Sequence, residues 1–251
     1  MSLKENLRKR VLTVGSWITL GHPAVAEIMA RAGFDWLTID LEHSAISLDQ
    51  AQHLIQVIEL SGVTPLVRVG ENNPYLIKRV MDAGAHGVIV PMVNTAEEAR
   101  RAVDAVKYPP EGRRGVGLGR AQGYGFEFER YRDWAREESI LILQIEHIDA
   151  IHNLSEILAV DGVDGSIVGP YDLSGSIGVP GDFKNPTMRR VLHTYELVST
   201  QLGKAKGFHI VHPERKTIMA YRKKGYRFLA LGIDTLFLGT GCRKIVKEFR
   251  A

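Results

Sequence analysis

Short, continuously apolar runs alternate along the chain with longer stretches whose apolar residues recur every three or four positions. Eight runs predict strands: 12–18 (LTVGSWI), 36–41 (WLTIDL), 64–69 (TPLVRV), 87–92 (GVIVPM), 140–146 (ILILQIE), 165–169 (GSIVG), 207–211 (GFHIV) and 227–232 (RFLALG). Most lack the polar–apolar alternation of a half-exposed strand, as expected for parallel strands buried on both faces. Intervening stretches such as AVAEIMARAG and SLDQAQHLIQVIELSG read as amphipathic helices closed by glycine, with Ser47 and Asn73-Pro74 as helix starts. Eight strand–helix units predict an α/β fold, a closed (β/α)8 TIM barrel over residues 1–251 as one domain with a C-terminal helix. A doubly wound open sheet is the alternative. Residues 108–138 are too long for a simple connection and are expected to place an extra loop and helix over the barrel mouth.

Composition narrows the class without naming a function. At 45% hydrophobic and 24% charged residues, the chain is an ordinary globular protein with a sizeable core. Its net charge of +3 comes from scattered basic residues, so no nucleic-acid face is expected; the densest group, RKIVKEFR, reads as a solvated helix end. The single cysteine, Cys242, excludes an internal disulfide, fits a reducing compartment and is expected to be a buried filler. No apolar run approaches a membrane span and MSLKENLRKR lacks a signal-peptide core, so a soluble, cytoplasmic protein is expected.

In such barrels the reacting groups sit at the carboxyl ends of the strands. Strand 2 ends in Asp40, Glu42 and His43, strand 3 in Arg68, and strand 5 in Gln144 and Glu146. Strand 6 runs into Gly169, Pro170, Tyr171 and Asp172; strand 7 yields His209 and His212, and strand 8 yields Asp234. No lysine ends a strand, since Lys204 and Lys206 precede strand 7, so a Schiff-base mechanism has no amine to use. Glu146 and Asp172, from neighbouring strands, suit a hard divalent cation, although Glu146 is alternatively a helix cap. Arg68 requires an anionic partner, either Glu42 or a substrate oxygen. His43 is a candidate acid/base or a rim histidine, and Asp82 its orienting carboxylate or a plain surface acid. His209, His212 and Trp17 either shape the pocket or pack in the core and rim. Gly115, Gly117 and Gly119 follow PPEGRR rather than a strand, which argues against a dinucleotide loop.

DWLTIDLEH, PLVRV, VPMVNTAEEAR, YPPEGRRGVG, QIE, GVDGSIVGPYDLS and GIDTLFL together resemble the HpcH/HpaI aldolase family, from Gly15 to about Leu238. The resemblance implies a metal-dependent pyruvate aldolase of the phosphoenolpyruvate/pyruvate barrel superfamily, acting on 4-hydroxy-2-oxo acids. It implies that Glu146 and Asp172 bind magnesium, manganese or cobalt. Arg68 would hold the keto oxygen of pyruvate, and His43, oriented by Asp82, would act through a metal-bound water. Gln144 and the Gly169–Asp172 segment would contact substrate, with the amides of Tyr171 and Asp172 receiving its carboxylate. It further implies a hexamer in which a neighbouring chain completes the aldehyde pocket. An oxaloacetate decarboxylase or citrate-lyase-like enzyme, and a keto-acid-binding barrel without turnover, are the alternatives.

Overall fold

The computed structural model describes residues 1–250. Eight parallel strands, β1 (Thr13–Ile18), β2 (Trp36–Asp40), β3 (Thr64–Arg68), β4 (Gly87–Val90), β5 (Ile140–Ile145), β6 (Gly165–Val168), β7 (Ala205–Ile210) and β8 (Phe228–Ile233), close into a barrel in sequence order. The open-sheet alternative is therefore excluded, and the TIM barrel read from the apolar runs is the fold. Helices follow each strand and run back outside the barrel. Ser47 caps Leu48–Leu60 with a reciprocal capping box, and Asn73 caps Pro74–Asp82 with proline in its first turn.

Strand geometry sends alternate side chains to opposite faces, which sorts the apolar runs into two cores. Leu37, Ile39, Val67, Val88, Leu141 and Leu143 face the helices. Trp17, Trp36, Leu66, Ile89, Ile142, Ile167 and Phe228 fill the interior. Trp36 lies over Gly15 and stacks on Phe228 with centroids 4.0 Å apart and 9° between planes. The N-terminal helix Leu3–Arg8 plugs the amino end with Leu3 and Leu7. Its buried Lys4 donates to Ser139 O at 2.7 Å and to Asp164 Oδ2 at 2.8 Å, which satisfies a charge that burial alone would penalise.

Two expectations are corrected. Residues 108–138 do form an extra 3-10 turn (Arg120–Gly125) and helix (Phe128–Glu138), but at the amino rim, not over the mouth. The preceding helix, Ala96–Val106, has already returned from the carboxyl end, so an insertion before β5 falls beside the strand starts. Lys107 fastens it there, donating to Ala135 O and Arg136 O at 2.8 Å each. Cys242 is exposed rather than buried, because the last helix, Asp234–Arg250, buries only Asp234. Phe237, Leu238, Ile245, Val246 and Phe249 of that helix are exposed apolar side chains. No helix among the described residues is long and apolar enough to cross a membrane.

Gly15→Ala tests the interior packing. A Cβ at position 15 would stand 2.1 Å from Trp36 Cδ2, and Trp36 cannot yield against Phe228. The expected loss is about 1–3 kcal/mol in urea unfolding. A further Trp36→Leu change, which empties that space, should make the alanine far less damaging; equal loss in both backgrounds refutes the clash.

Candidate active site

β2 and β3 pair in a register that sets Asp40 beside Arg68 at the carboxyl end of the barrel. The guanidinium approaches Asp40 with two hydrogen bonds, Nε to Oδ1 at 2.9 Å and Nη2 to Oδ2 at 2.6 Å. Its Nη1 faces Glu42 Oε2 at 3.2 Å and donates to Gln144 Oε1 at 3.4 Å. Beneath it lies Trp17, with Cζ of Arg68 4.4 Å from the ring centroid, a cation–π contact. Arg68 thus has two anionic partners in the chain; of these the sequence reading offered only Glu42. Asp40, placed at the strand end but given no role, is the stronger one. Its signal was the period-two count from buried Trp36, which turns Asp40 inward.

Glu146 follows β5 and is buried. Its Oε1 accepts the Met92 amide at 2.7 Å and its Oε2 accepts Gln144 Nε2 at 2.5 Å. Burial raises its pKa above the ordinary glutamate value, and the charge of Asp172 adds to the rise. Asp172 stands exposed in the first turn of the helix Pro170–Ser176, while Glu146 is held by one backbone amide and one side-chain amide. Gly169 makes the approach possible: a Cβ there would meet Glu146 Oε2 at 2.9 Å. Met92, which sequence reading passed over, adopts φ +53° to aim its amide at Glu146. Nothing in its local sequence signals that left-handed backbone, which is costly for a residue other than glycine.

A cavity of about 630 Å³ opens over these groups, lined on its polar side by Glu42, His43, Glu146, His147 and Asp172. Glu146 and Asp172 therefore face one shared space. His43 is exposed at its edge, 3.7 Å from Glu42. Among the described residues no three His, Cys, Asp or Glu side chains form a ready-made metal cluster. The two carboxylates nevertheless fit a hard cation whose remaining positions are open to substrate or water. Glu42 Oε2 points the same way, being buried without a well-formed hydrogen bond although Arg68 is near.

Other candidates lie elsewhere or play different parts. Asp82 ends the helix Pro74–Asp82, at the amino rim, where it accepts Arg114 and Gln122. Within one chain it does not orient His43, because its helix has carried it to the opposite end of the barrel. His209 faces Trp17 at 5.5 Å beneath Arg68, and its Nε2 stands 3.1 Å from Gly232 O. Asp234 is structural: it accepts the amides of Thr19 and Leu20 at 2.8 Å each and locks β1 to the last helix. Lys206 Nζ donates to Lys224 O on the far rim, so the mouth has no Schiff-base amine from it. A separate cavity of about 500 Å³ on that rim is lined by Glu59, His86 and Arg120, which neutralise one another.

The model of the HpcH/HpaI aldolase/citrate lyase family matches residues 13–239. The 2-keto-3-deoxy-L-rhamnonate aldolase of Escherichia coli (strain K12) is 39% identical over 99% of this chain and 92% of its own. The enzyme of that description from Klebsiella pneumoniae is 41% identical over 93% of this chain and 87% of its own. The crystal structure of an HpcH/HpaI aldolase/citrate lyase family protein from Burkholderia cenocepacia J2315 superposes with a TM-score of 0.93. It is 32% identical, with 99% of both chains covered.

Burial holds the His209 imidazole at about 4, below its ordinary 6.5. Between those values the unfolded chain binds a proton that the folded chain refuses. Stability is therefore unaffected above pH 6.5 and falls as pH drops toward 4, by up to about 3 kcal/mol. Urea unfolding of His209→Gln across that window should show a shallower acid loss than the parent protein. Parallel curves would mean that His209 titrates as if in water.

Proposed function

The chain belongs to the HpcH/HpaI aldolase/citrate lyase family, and on that premise we propose a divalent-metal-dependent aldolase joining pyruvate to an aldehyde. The reverse reaction cleaves a 4-hydroxy-2-oxo acid. The observation that carries this reading is the convergence of Arg68, Glu146 and Asp172 on one mouth, with no lysine lining it.

A magnesium, manganese or cobalt ion held by Glu146 and Asp172 would act as a Lewis acid on the keto group of bound pyruvate. Arg68 would stabilise the negative charge that develops on the keto oxygen as a methyl proton leaves. Asp40 and Trp17 fix the guanidinium beforehand, so little reorganisation is needed when that charge appears. The first-turn amides of Tyr171 and Asp172, which have no partner within their helix, would receive the pyruvate carboxylate, with Gly169 and Pro170 setting the approach. Gln144 would keep Arg68 and Glu146 in register, since it bonds both. His43 would exchange the proton at the mouth. A coenzyme A thioester is less well matched, because the cavity lining offers no arginine or lysine for its phosphates. The single exposed thiol, Cys242, suits the reducing cytoplasm in which we place the enzyme.

We read the active form as an oligomer, a hexamer by family resemblance. The uncovered apolar side chains of the last helix and of Val116, Leu118 and Phe126 support an association surface. Asp82, at the far rim of its own barrel, would then orient His43 of a neighbouring chain.

Pyruvate in D₂O with magnesium or manganese should lose its methyl proton signal by NMR, and chelation should stop the loss. Arg68→Ala should slow exchange about 10²–10³-fold; near-full exchange in that variant removes Arg68 from the chemistry. Aldol formation tests the shared site. His43→Ala and Asp82→Asn chains, each weak in aldol formation alone, should regain activity when unfolded together and reassembled, since some sites then carry both native residues. No recovery above the separate proteins places Asp82 outside the active site.

A further inference from the structure

The amino rim carries a pocket of its own, where the starts of β7 and β8 meet the chain leaving the first helix. Its volume is about 220 Å³. Arg10, Lys204, Lys206, Lys223, Lys224 and Arg227 line it, and none of the lining residues is acidic. Three of these six cations are accounted for by the fold. Lys204 Nζ donates to Val163 O at 2.7 Å, and Lys206 Nζ donates to Lys224 O and Thr200 Oγ1 at 2.9 Å each. Arg227 donates Nε to Arg10 O at 2.9 Å and Nη1 to Tyr226 O at 2.8 Å. A fourth, Lys224, pairs with Glu196 Oε1 at 2.9 Å, an oxygen that also accepts Tyr226 OH.

Arg10 and Lys223 are left over. Among the described residues neither side chain has a hydrogen bond or an ion pair, and both residues are exposed. Arg10 also has a costly backbone. It follows the helix Leu3–Arg8 at φ +54°, with its amide on Leu7 O at 3.2 Å and the Val11 amide on Asn6 O at 2.9 Å. Glycine is what such a left-handed helix stop favours, so the backbone gives no reason for an arginine. Its guanidinium passes over Gly203, where a Cβ would stand 2.8 Å from Nη2. Lys206 senses the excess of positive charge. Burial first, then Arg227, Lys224 and Arg10, draw its ammonium below the ordinary lysine value against the pull of Glu196.

We propose that this pocket binds a dianionic phosphate group, as inorganic phosphate or a small phosphate monoester, through Arg10, Lys223 and Arg227. Two guanidinium groups offer planar donors that match phosphate oxygens, and Lys223 adds a point charge on a flexible stem. At about 220 Å³ the pocket is smaller than those that enclose drug-sized ligands, which suits a phosphate with at most a short carbon body. Two negative charges offset Arg10 and Lys223, the cations that the fold leaves without partners. The pocket lies at the opposite end of the barrel from the mouth, so its occupation neither requires the aldolase nor competes with pyruvate.

The test is calorimetric titration of the full chain with inorganic phosphate and with glycerol 3-phosphate, at constant ionic strength and with a metal chelator present. The parent should bind with a dissociation constant of about 1 mM or below, and excess pyruvate should not displace the ligand. Arg10→Gln and Lys223→Gln should each weaken binding about ten-fold, as loss of a charged hydrogen bond does. Arg189→Gln removes an equal charge from the exposed side of the helix Pro186–Gln201 and should leave affinity unchanged. Arg10→Gly separates binding from folding. Its urea midpoint without phosphate should hold or rise, since glycine suits the left-handed stop, while its phosphate affinity falls. Tighter binding of glycerol 3-phosphate identifies a monoester as the ligand, and tighter or equal binding of inorganic phosphate identifies the free ion. Displacement by pyruvate, no saturation by about 10 mM, or equal weakening in Arg189→Gln overturns the site. A lower urea midpoint in Arg10→Gly makes Arg10 a structural residue and overturns it too. Retention on heparin that phosphate does not reduce marks a face for a larger polyanion and has the same consequence.

Discussion

Asp40 holds Arg68 side-on, and the remaining groups of the mouth take their places from that pair. The same carboxylate oxygen that binds Nε also accepts the amides of Glu42 and His43. One buried acid therefore orients the guanidinium and shapes the turn that presents His43. Burial alone would raise the pKa of Asp40; the hydrogen bonds and charge of Arg68, with those two amides, hold it below the ordinary value instead. A buried pair of this kind gains little over an apolar substitute, but losing either partner strands a charge, typically at a cost of about 3–5 kcal/mol. Fixing the cation in place is what the arrangement contributes to chemistry.

Helix direction governs which main-chain groups each rim of the barrel presents. Helices leave the carboxyl rim with their amide ends toward it and return with their carbonyl ends toward the amino rim. Acids collect at the first: Glu146 accepts Met92, Asp40 accepts Glu42 and His43, and Asp234 accepts Thr19 and Leu20. Cations collect at the second, where Lys4, Lys107 and Lys206 donate to main-chain carbonyls. Lys107 shows the strain of this burial, which brings its ammonium down to about 8. The buried lysines thus serve closure of the barrel floor, where Asp164 also accepts Lys4 and the Leu141 amide.

This division also explains how much was legible in the sequence. All eight strands fall within two residues of the apolar runs, because burial on both faces leaves little ambiguity in so long a series. Arg68, Gln144, Glu146 and Asp172 converge because strand ends in a parallel barrel share one mouth. What escaped depends on direction rather than type. Residues 108–138 were expected over the mouth because they are too long for a simple connection, yet they follow a helix that has already descended. Asp82 likewise stands at the end of a descending helix, away from the His43 of its own chain. Cys242 was expected to be a buried filler near the last helix, whereas that helix leaves its apolar side chains uncovered. The left-handed Met92 has no local signature, since the hydrogen bond that stabilises it comes from 54 residues away.

Arginine at position 68 follows from the number of partners around it. Asp40 takes two donors in one plane, Glu42 and Gln144 face a third, and the flat face rests on Trp17. A lysine has a compact ammonium on a flexible stem and can neither fork onto Asp40 nor stack in that way. The count of charges matters as much as the shape. Asp40, Glu42, Glu146 and Asp172 set four carboxylates against one guanidinium, a field that would repel the anionic keto acid of the proposed reaction. Raised pKa values at Glu42 and Glu146, due first to burial, relieve only part of that excess. The proposed divalent cation between Glu146 and Asp172 would remove most of the remainder and would leave Arg68 facing the oxygen on which charge would appear.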